Sequence, residues 1–212
     1  MRVLIFTGGE CFPNVTIPEY DLCIAADSGY NTAKAAGVFP DLLVGDFDSI
    51  GEMPESFTDH KTGKECRVIR HPTMKDETDT VLATTLAREM GGDELYIIGG
   101  TGGRADHALS NMILLEALTR EGVSVTLCDG NSEICVMTEG RKRHISAGEY
   151  RYFSLITTDH CTVSAEGCVY PLEAAELTSM TPSWGVSNEP LEGGATVTCH
   201  SGRVFVIRSE KL

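Results

Sequence analysis

The chain has 212 residues, 42% of them hydrophobic and 23% charged, which is the composition of a folded protein of one or two domains. Its formal net charge of −14 argues against a surface for nucleic acid or anionic lipid, because either partner requires a basic patch. The N-terminal apolar run is too short for a signal peptide, and no stretch approaches the ~18 apolar residues of a membrane span, which predicts a cytoplasmic protein.

Short apolar segments alternate with helical patterns through the first 130 residues. The segments are rich in Val, Ile and Leu and end in Gly, Asp, Pro or Ser, as buried parallel strands do. Helical patterns lie between them at about 28–36, 76–90 and 106–121. This alternation predicts an α/β fold with a doubly wound, mostly parallel sheet. The predicted strands are VLIFTGG, DLCIAADSG, DLLVGDFDS, CRVIRHP, ELYIIGGTGG and VSVTLCDG.

The third helical pattern is the most apolar of the three. Its apolar residues recur on one broad face, which predicts a helix packed against the sheet, and Gly122 follows where the helix would end. The residues predicted to form this buried face are Leu109, Met112, Ile113, Leu115 and Leu118.

The pattern changes after residue 130. No long helical period occurs there, and short β-rich segments are separated by Gly, Ser, Asn and Pro, which indicates an antiparallel sandwich or barrel. We therefore predict an α/β domain over residues 1–130 and an antiparallel β-sandwich domain over residues 131–212. The predicted strands of the second domain are EICVMTEG, GEYRYFSLITT, CTVSAEGCVY, AELTS and ATVTCHSGRVFVIRS.

The eight cysteines form no CxxC pair, and no His pair has metal-ligand spacing. Several cysteines lie among apolar neighbours, as in DLCIAA and VTLCDG. They are predicted to be small buried hydrophobic residues rather than a disulfide framework.

Aspartates follow the second and third predicted strands. Asp27 occurs in AADSG, and Asp46 and Asp48 occur in GDFDS. Residues i and i+2 of an extended segment point the same way, so Asp46 and Asp48 are predicted to face one hard cation. An oxygen-only cluster favours Mg²⁺ over zinc. The alternative interpretation of GDFDS is a polar turn, in which Gly, Asp and Ser are common.

The segment KDETDT, after the fourth strand, adds Lys75, Asp76 and Asp79. If a helix begins there, the two aspartates at i and i+3 share a face and extend the carboxylate cluster, while Lys75 offers a cation to a phosphate. The alternative is helix capping, because acidic residues in a first turn favour the helix dipole and Thr73 or Asp76 suits an N-cap.

The segment IIGGTGGRADH contains four glycines in five residues between a strand and a helix. Glycines there let backbone N–H groups approach a phosphate, and Arg104 offers a bidentate contact. The alternative is a tight turn in which Arg104 pairs with Asp106, and no GK[ST] follows to make a P-loop. Since ligands bind at the carboxyl ends of a doubly wound sheet, the three segments together predict a site for a Mg²⁺-bound nucleotide such as ATP.

These motifs occur together in one known family. In order and spacing, AADSG, PDLLVGDFDS, KDETDT, GGRADH and the later SNE resemble thiamine pyrophosphokinase in its compact bacterial form, over nearly the whole chain. The resemblance implies the reaction ATP + thiamine → AMP + thiamine diphosphate with Mg²⁺, in an α/β nucleotide-binding catalytic domain followed by a β-sandwich thiamine-binding and dimerisation domain. It also implies a homodimer with thiamine at the subunit interface, between the first domain of one subunit and the second domain of the other.

The resemblance also assigns residues to roles. Asp46, Asp48 and Asp79 look like the Mg²⁺ and diphosphate-site carboxylates. Asp76 is the carboxylate that we expect to accept the proton of the thiamine hydroxyl. Residues expected at the nucleotide are Asp27, Ser28, Lys75, Arg104, Asp106 and His107, and those expected near the thiamine ring are Ser187 and Asn188.

Trp184 is the only tryptophan, and the resemblance does not fix its role. Thiamine is a cation with aromatic rings, so an indole face would attract it by ~1–2 kcal/mol once desolvated. The alternative is a Trp packed at a domain or subunit contact. The polar neighbours in SMTPSWGVSN indicate an exposed loop, which favours binding.

Three other functions are compatible with parts of the pattern. A pyrophosphokinase acting on a pterin or another hydroxymethyl heterocycle would share the Asp and Gly-Arg motifs. A nucleotide- or metal-binding regulator would need no carboxylate cluster, and a metal-dependent phosphohydrolase would need no acceptor. The SNE segment and the β-rich second half favour thiamine.

Overall fold

A computed structural model describes residues 1–47, 55–60, 62–71 and 77–210. The chain divides into two compact units, Met1–Gly130 and Asn131–Leu212. The first unit combines helices with a mostly parallel sheet, and the second contains antiparallel strands. This mixed architecture confirms the coarse fold class, whereas the description of the second unit as a sandwich stays a prediction.

The first unit alternates strands with helices as predicted. In chain order it contains β1 (Arg2–Phe6), β2 (Leu22–Ala26), α1 (Gly29–Ala35), β3 (Leu42–Gly45), β4 (Ser56–Thr58), β5 (Glu65–Arg70), α2 (Asp79–Glu89), β6 (Glu94–Ile98), α3 (Ala105–Arg120) and β7 (Ser124–Cys128). All six predicted strands and all three predicted helices are present. The addition is β4, a short antiparallel partner of β5 that has too few residues to show a period.

The strand order of the first unit is β7-β6-β1-β2-β3-β5-β4. All neighbours are parallel except β4 and β5. From β1 the chain proceeds to β2, β3 and β5 on one side, and it then places β6 and β7 on the other side. The connections that follow β1 and β6 therefore run toward opposite edges of the sheet, which leaves a crevice at the carboxyl ends of these two strands. This crevice is the topological switch point at which open α/β sheets bind ligands.

One part of the helix prediction is wrong. Leu109 and Ile113 are 60% and 58% exposed, whereas Leu115 and Leu118 are buried with Asn111. At ~100° per residue, the predicted apolar positions span more than half of the helix circumference, and a neighbouring strand covers less than that.

Within the described ranges, no helix has both the length and the hydropathy that a membrane span requires.

The second unit is built around one long strand. Its elements are β8 (Ser132–Thr138), β9 (Lys142–Ile145), β10 (Tyr152–Ile156), β11 (His160–Glu166), β12 (Leu172–Thr178) and β13 (Ala195–Ser209). The first part of β13 pairs with β9 and β11, and the last part pairs with β8 and β10. The two parts meet at Gly202, whose φ is +72° and where a Cβ would lie 2.3 Å from the carbonyl oxygen of His160. Of these strands, β9 was not predicted, because KRHI has no apolar alternation.

All eight cysteines are free thiols, and seven of them are buried. Burial raises the pKa of the Cys23 and Cys66 thiols to about 12, so both stay protonated near neutral pH. The prediction that the cysteines act as small buried hydrophobic residues is confirmed, except that Cys11 is only half-buried.

Candidate active site

A cleft of about 580 Å³ opens at the switch point of the first unit. It is bounded by the turns after β1, β2, β3 and β6 and by the first residues of α2 and α3. The lining positions are 7–9, 26–28, 46, 78–80, 99, 100, 102–104, 107 and 111. Among the predicted site residues, the cleft thus brings together Asp27, Ser28, Asp46, Asp79, Arg104 and His107.

Two glycine-containing turns meet at the floor of the cleft. A Cβ on Gly9 would lie 1.7 Å from the carbonyl oxygen of Gly99, so the turns after β1 and β6 can touch only because position 9 has no side chain. Gly99 has a φ of +85°, and its N–H donates to the carbonyl of Cys128 at 2.9 Å. The cleft therefore has a floor of backbone, as close approach to a phosphate requires.

Asp27 has an unusual environment at the end of β2. It is 8% exposed and has a φ of +45°, a backbone conformation that costs energy for a residue other than glycine. Its Oδ1 is buried and has no hydrogen-bond partner among the described residues. A buried carboxylate oxygen is stabilised by a donor or a cation, so this atom indicates that a ligand group belongs beside it.

Asp46 reaches the cleft from the end of β3, but the backbone after it is not extended. Phe47 has a φ of +63°, and its ring is buried in the apolar core. The guanidinium carbon of Arg70 lies 5.2 Å from the centre of that ring. The prediction that Asp46 and Asp48 face one cation assumed an extended segment, whereas Phe47 is left-handed; the role of Asp48 stays a prediction. Asp48 itself lies outside the described residues.

Asp79 enters the cleft in the first turn of α2. The N-cap of this helix is Thr78, whose side chain accepts a hydrogen bond from the N–H of Val81 at 3.3 Å. The N-cap is therefore Thr78 rather than Thr73 or Asp76, and the helix begins at Asp79. Asp76 and Lys75 lie outside the described residues.

The carboxylates in the cleft suit a hard cation. Asp46 follows β3, Asp79 begins α2, and both line the same space; their donors are oxygens, as Mg²⁺ prefers. In the described part of the chain, no group of three or more His, Cys, Asp or Glu side chains is arranged to hold a metal. Asp46 and Asp79 thus fit the usual coordination of Mg²⁺, in which one or two carboxylates bind the ion and water and phosphate oxygens occupy its other coordination positions.

Arg104 and Asp106 form the ion pair that was the alternative interpretation of this turn. The Arg104 Nε and Nη2 donate to the two carboxylate oxygens of Asp106 at 3.1 and 2.6 Å. This hydrogen bonding lowers the pKa of Asp106 to about 2, so the pair stays ionised throughout the neutral range. Both side chains are well exposed, and Arg104 also lines the cleft. Asp106 therefore orients the guanidinium at the mouth of the site.

Sequence reasoning missed several polar residues of the cleft. Thr7 donates its hydroxyl to the carbonyl of Ile98 at 3.0 Å and thereby joins the ends of β1 and β6. The buried Asn111 donates its amide to the carbonyl of Gly100 at 2.9 Å. Thr80 adds a third polar side chain from α2. The position of Asn111 within an otherwise apolar helical stripe was the available signal.

The three residues predicted to contact thiamine lie in the second unit, where they differ in exposure. Trp184 is 68% exposed and Ser187 is also exposed, with a φ of +60°. Asn188 is only 5% exposed. Its Oδ1 accepts from the backbone N–H of Tyr170, and its Nδ2 donates to the Tyr170 carbonyl at 2.7 Å. Asn188 thus holds the backbone beside Ser187, and Trp184 and Ser187 are the side chains open to a ligand.

The architecture of the first unit is that of the open α/β domains whose ligand sites lie outside the carboxyl ends of the strands. Comparison with known proteins narrows this class. The family described as thiamin pyrophosphokinase, catalytic domain, matches residues 15–127. The chain is 33% identical over 211 residues to the thiamine pyrophosphokinase of Bacillus subtilis (strain 168), with 97% of each chain covered.

Solved structures agree with this assignment. The crystal structure of thiamine pyrophosphokinase from Bacillus subtilis matches with a TM-score of 0.84 and 31% identity over the full length of both chains. A thiamin pyrophosphokinase family protein from Enterococcus faecalis matches with a TM-score of 0.81 and 29% identity, again over both full lengths. The chain belongs to the thiamine pyrophosphokinase family, which confirms the resemblance inferred from its motifs.

Proposed function

We propose that the protein transfers the diphosphate group of ATP to the hydroxyl of thiamine, giving thiamine diphosphate and AMP, with Mg²⁺. Family membership supports an enzyme that forms thiamine diphosphate from thiamine, a thiamine diphosphokinase. ATP as donor, AMP as product and the requirement for Mg²⁺ belong to the proposal. The main observation in support of this proposal is the cleft at the switch point, which is lined by both aspartates and glycines.

The carboxylates of Asp46, Asp48 and Asp79 are the proposed Mg²⁺ ligands. Asp46 and Asp79 line one cleft, which supports a shared ion. Bound there, Mg²⁺ would neutralise charge that develops on the transferred phosphates. The carboxylates also determine where the diphosphate binds. An acidic cleft repels a polyanion except where a bound cation lies between the carboxylates and the phosphates.

The nucleotide is held, in this proposal, by residues from β2, α1 and α3. The orphaned Oδ1 of Asp27 is placed to accept a hydrogen bond from a hydroxyl of the nucleotide, with Ser28 beside it. Arg104, oriented by Asp106, faces the phosphates together with His107. Lys75 is proposed as a further cation at the phosphates.

Phosphoryl-type transfer needs positioning and charge stabilisation more than covalent chemistry. The thiamine hydroxyl attacks the β-phosphorus, AMP leaves, and the proposed acceptor of the hydroxyl proton is Asp76. The glycines at the floor of the cleft let the diphosphate approach the backbone closely, while Arg104 stabilises its negative charge.

The experiment that tests this function measures AMP with and without thiamine. We expect AMP and thiamine diphosphate in equal amounts, and only when thiamine, ATP and Mg²⁺ are all present. AMP formed with a hydroxymethyl pterin instead would indicate the related pyrophosphokinase. Phosphate released without an acceptor would indicate a hydrolase, and ATP binding without turnover would indicate a regulator.

The thiamine ring is proposed to bind in the second unit against Trp184, Ser187 and Asn188. The exposed indole and the exposed Ser187 hydroxyl support a contact surface, and Asn188 supports its shape through the Tyr170 backbone. The second unit is thus proposed as the thiamine-binding and dimerisation domain and the first as the nucleotide-binding catalytic domain.

Replacement of Trp184 by Ala should weaken thiamine binding selectively. Loss of a cation–π contact of ~1–2 kcal/mol corresponds to a rise of about five- to thirtyfold in the KM for thiamine, with the KM for ATP unchanged. Steady-state kinetics with each substrate varied in turn measure the two values. Met180→Ala, which removes another exposed apolar side chain nearby, is the control. Equal increases in both KM values would contradict the assignment.

We further propose a cytoplasmic homodimer with thiamine at the subunit interface. Exposed apolar side chains in each unit support association: Leu109 and Ile113 on α3 in the first unit, and Val186 beside Ser187 in the second. The free thiols support a reducing compartment, because structural disulfides are rare there. Sedimentation of the purified enzyme at micromolar concentration should give twice the mass of one chain, and the mass of a single chain would contradict the dimer.

A further inference from the structure

The glycine-rich turn 99–103 is held in place by hydrogen bonds to Cys128, Asn111 and Asp129. Gly99 is bonded to Cys128, and Gly100 to Asn111. The third contact joins Thr101, in the middle of the turn, to Asp129: the Thr101 hydroxyl donates to the Asp129 carboxylate. Gly102 and Gly103, which follow directly, line the cleft. The Thr101–Asp129 bond thus lies directly beside the part of the turn that lines the cleft.

Asp129 is a buried carboxylate with no place in the mechanism described above. It is 7% exposed, directly follows β7, and is absent from the cleft lining. Its carbonyl accepts the N–H of Phe12 at 2.7 Å, and the adjacent Gly130 carbonyl accepts the amide of Asn14 at 2.7 Å. Asp129 thus connects the turn after β6 with the segment that follows β1.

Burial of a carboxylate is costly, so a buried aspartate is expected where its charge-assisted hydrogen bonds matter. A hydrogen bond to an ionised acceptor is roughly twice as strong as one between neutral groups. At Thr101 such a bond restrains a turn of glycines, which otherwise has the largest backbone freedom of any sequence. The restraint is needed in a turn that must present its backbone to a phosphate in one conformation.

We propose that Asp129 is a positioning residue, which acts through the Thr101 hydroxyl to hold the glycine-rich turn in the conformation that binds the phosphates of ATP. This inference rests on the proposed function in naming ATP. It predicts that a residue outside the cleft determines the affinity for the nucleotide and does not change the affinity for thiamine.

The test uses Thr101→Val, Thr101→Ser, Asp129→Asn and the Thr101→Val/Asp129→Asn double variant in the full chain. Loss of the bond should raise both the KM and the Kd for ATP about tenfold, with the KM for thiamine within about twofold of wild type. Thr101→Ser retains the hydroxyl and should restore ATP affinity. The double variant should be no weaker than the weaker single variant, because Thr101→Val removes, and Asp129→Asn weakens, the same interaction.

A matched control separates positioning from general stability. Thr119→Val removes another hydrogen bond of a threonine hydroxyl, to the Leu115 carbonyl at 2.8 Å, within α3 and outside the glycine-rich turn. It should lower Tm without any change in ATP affinity. If Asp129→Asn does not fold, the Thr101 pair of variants still decides the question.

Three results would overturn the inference: wild-type ATP affinity in Thr101→Val, equal losses for ATP and thiamine, or effects that simply add in the double variant. Direct titration of ATP separates this inference from the proposed function. Wild-type protein that binds ATP but releases no AMP with thiamine would refute the proposed function. The Kd values of the variants for ATP would then still test the role of the turn. Wild-type protein that does not bind ATP would refute both.

Discussion

Asp46→Asn is expected to reduce turnover by about a thousandfold, because it removes one negative charge from the proposed Mg²⁺ site while keeping the size of the side chain. AMP release under saturating substrates measures the loss. The variant should need more Mg²⁺ for half-maximal activity, which distinguishes a metal ligand from a residue that only shapes the cleft. Thermal unfolding should remain close to wild type, since Asp46 lies at the edge of the cleft rather than in the core.

The matched control is Asp159→Asn, which removes the same charge from an exposed position in the second unit. It should leave both turnover and the Mg²⁺ requirement unchanged. Full activity of purified, folded Asp46→Asn would contradict the metal role and with it the centre of the proposed mechanism.

Gly9→Ala is expected to destroy ATP binding and to lower the free energy of unfolding by ~1–3 kcal/mol, the usual cost of forcing extra atoms into a packed site. The added methyl group would lie 1.7 Å from the Gly99 carbonyl oxygen, and backbone cannot move aside as a flexible side chain can. The turns after β1 and β6 must then separate, which opens the floor of the cleft. Calorimetric titration with ATP and thermal unfolding report the two effects.

Gly193→Ala provides the comparison, because a Cβ there meets nothing within 4 Å. It should leave ATP binding unchanged. Stability should be unchanged or slightly higher, since alanine reduces the conformational entropy of the unfolded chain. Wild-type ATP affinity in Gly9→Ala would show that the floor of the cleft does not depend on the contact between the two turns.

The strands and helices of the first unit could be predicted because each has a strong local pattern. Continuous Val, Ile and Leu runs gave the parallel strands, and the residues at their ends gave Asp27, Asp46 and the glycine-rich turn. These features need only the rule that ligands bind at the carboxyl ends of parallel strands. Similarity to a known family then named the chemistry, which no local pattern contains.

What could not be predicted depends on contacts between distant segments. Asn111 reads as a polar interruption of an apolar helix until the strand order brings α3 beside Gly100. Asp129 reads as part of a turn until Thr101, 28 residues away, is placed against it. The backbone at Phe47 is left-handed and its ring lies in the core, and no sequence period reveals either feature. Asn188 likewise belongs to a ligand motif in the sequence and supports the Tyr170 backbone in the fold.

The central strand of the second unit has a consequence for biosynthesis. β8, β9, β10 and β11 all pair with β13, so their neighbour is translated only after all four have been synthesised. The parallel strands of the first unit, by contrast, are complete by residue 128. The nascent chain is thus expected to carry a folded first unit ahead of an open second one, which leaves residues 131–194 as the stretch that chaperones and proteases meet during translation.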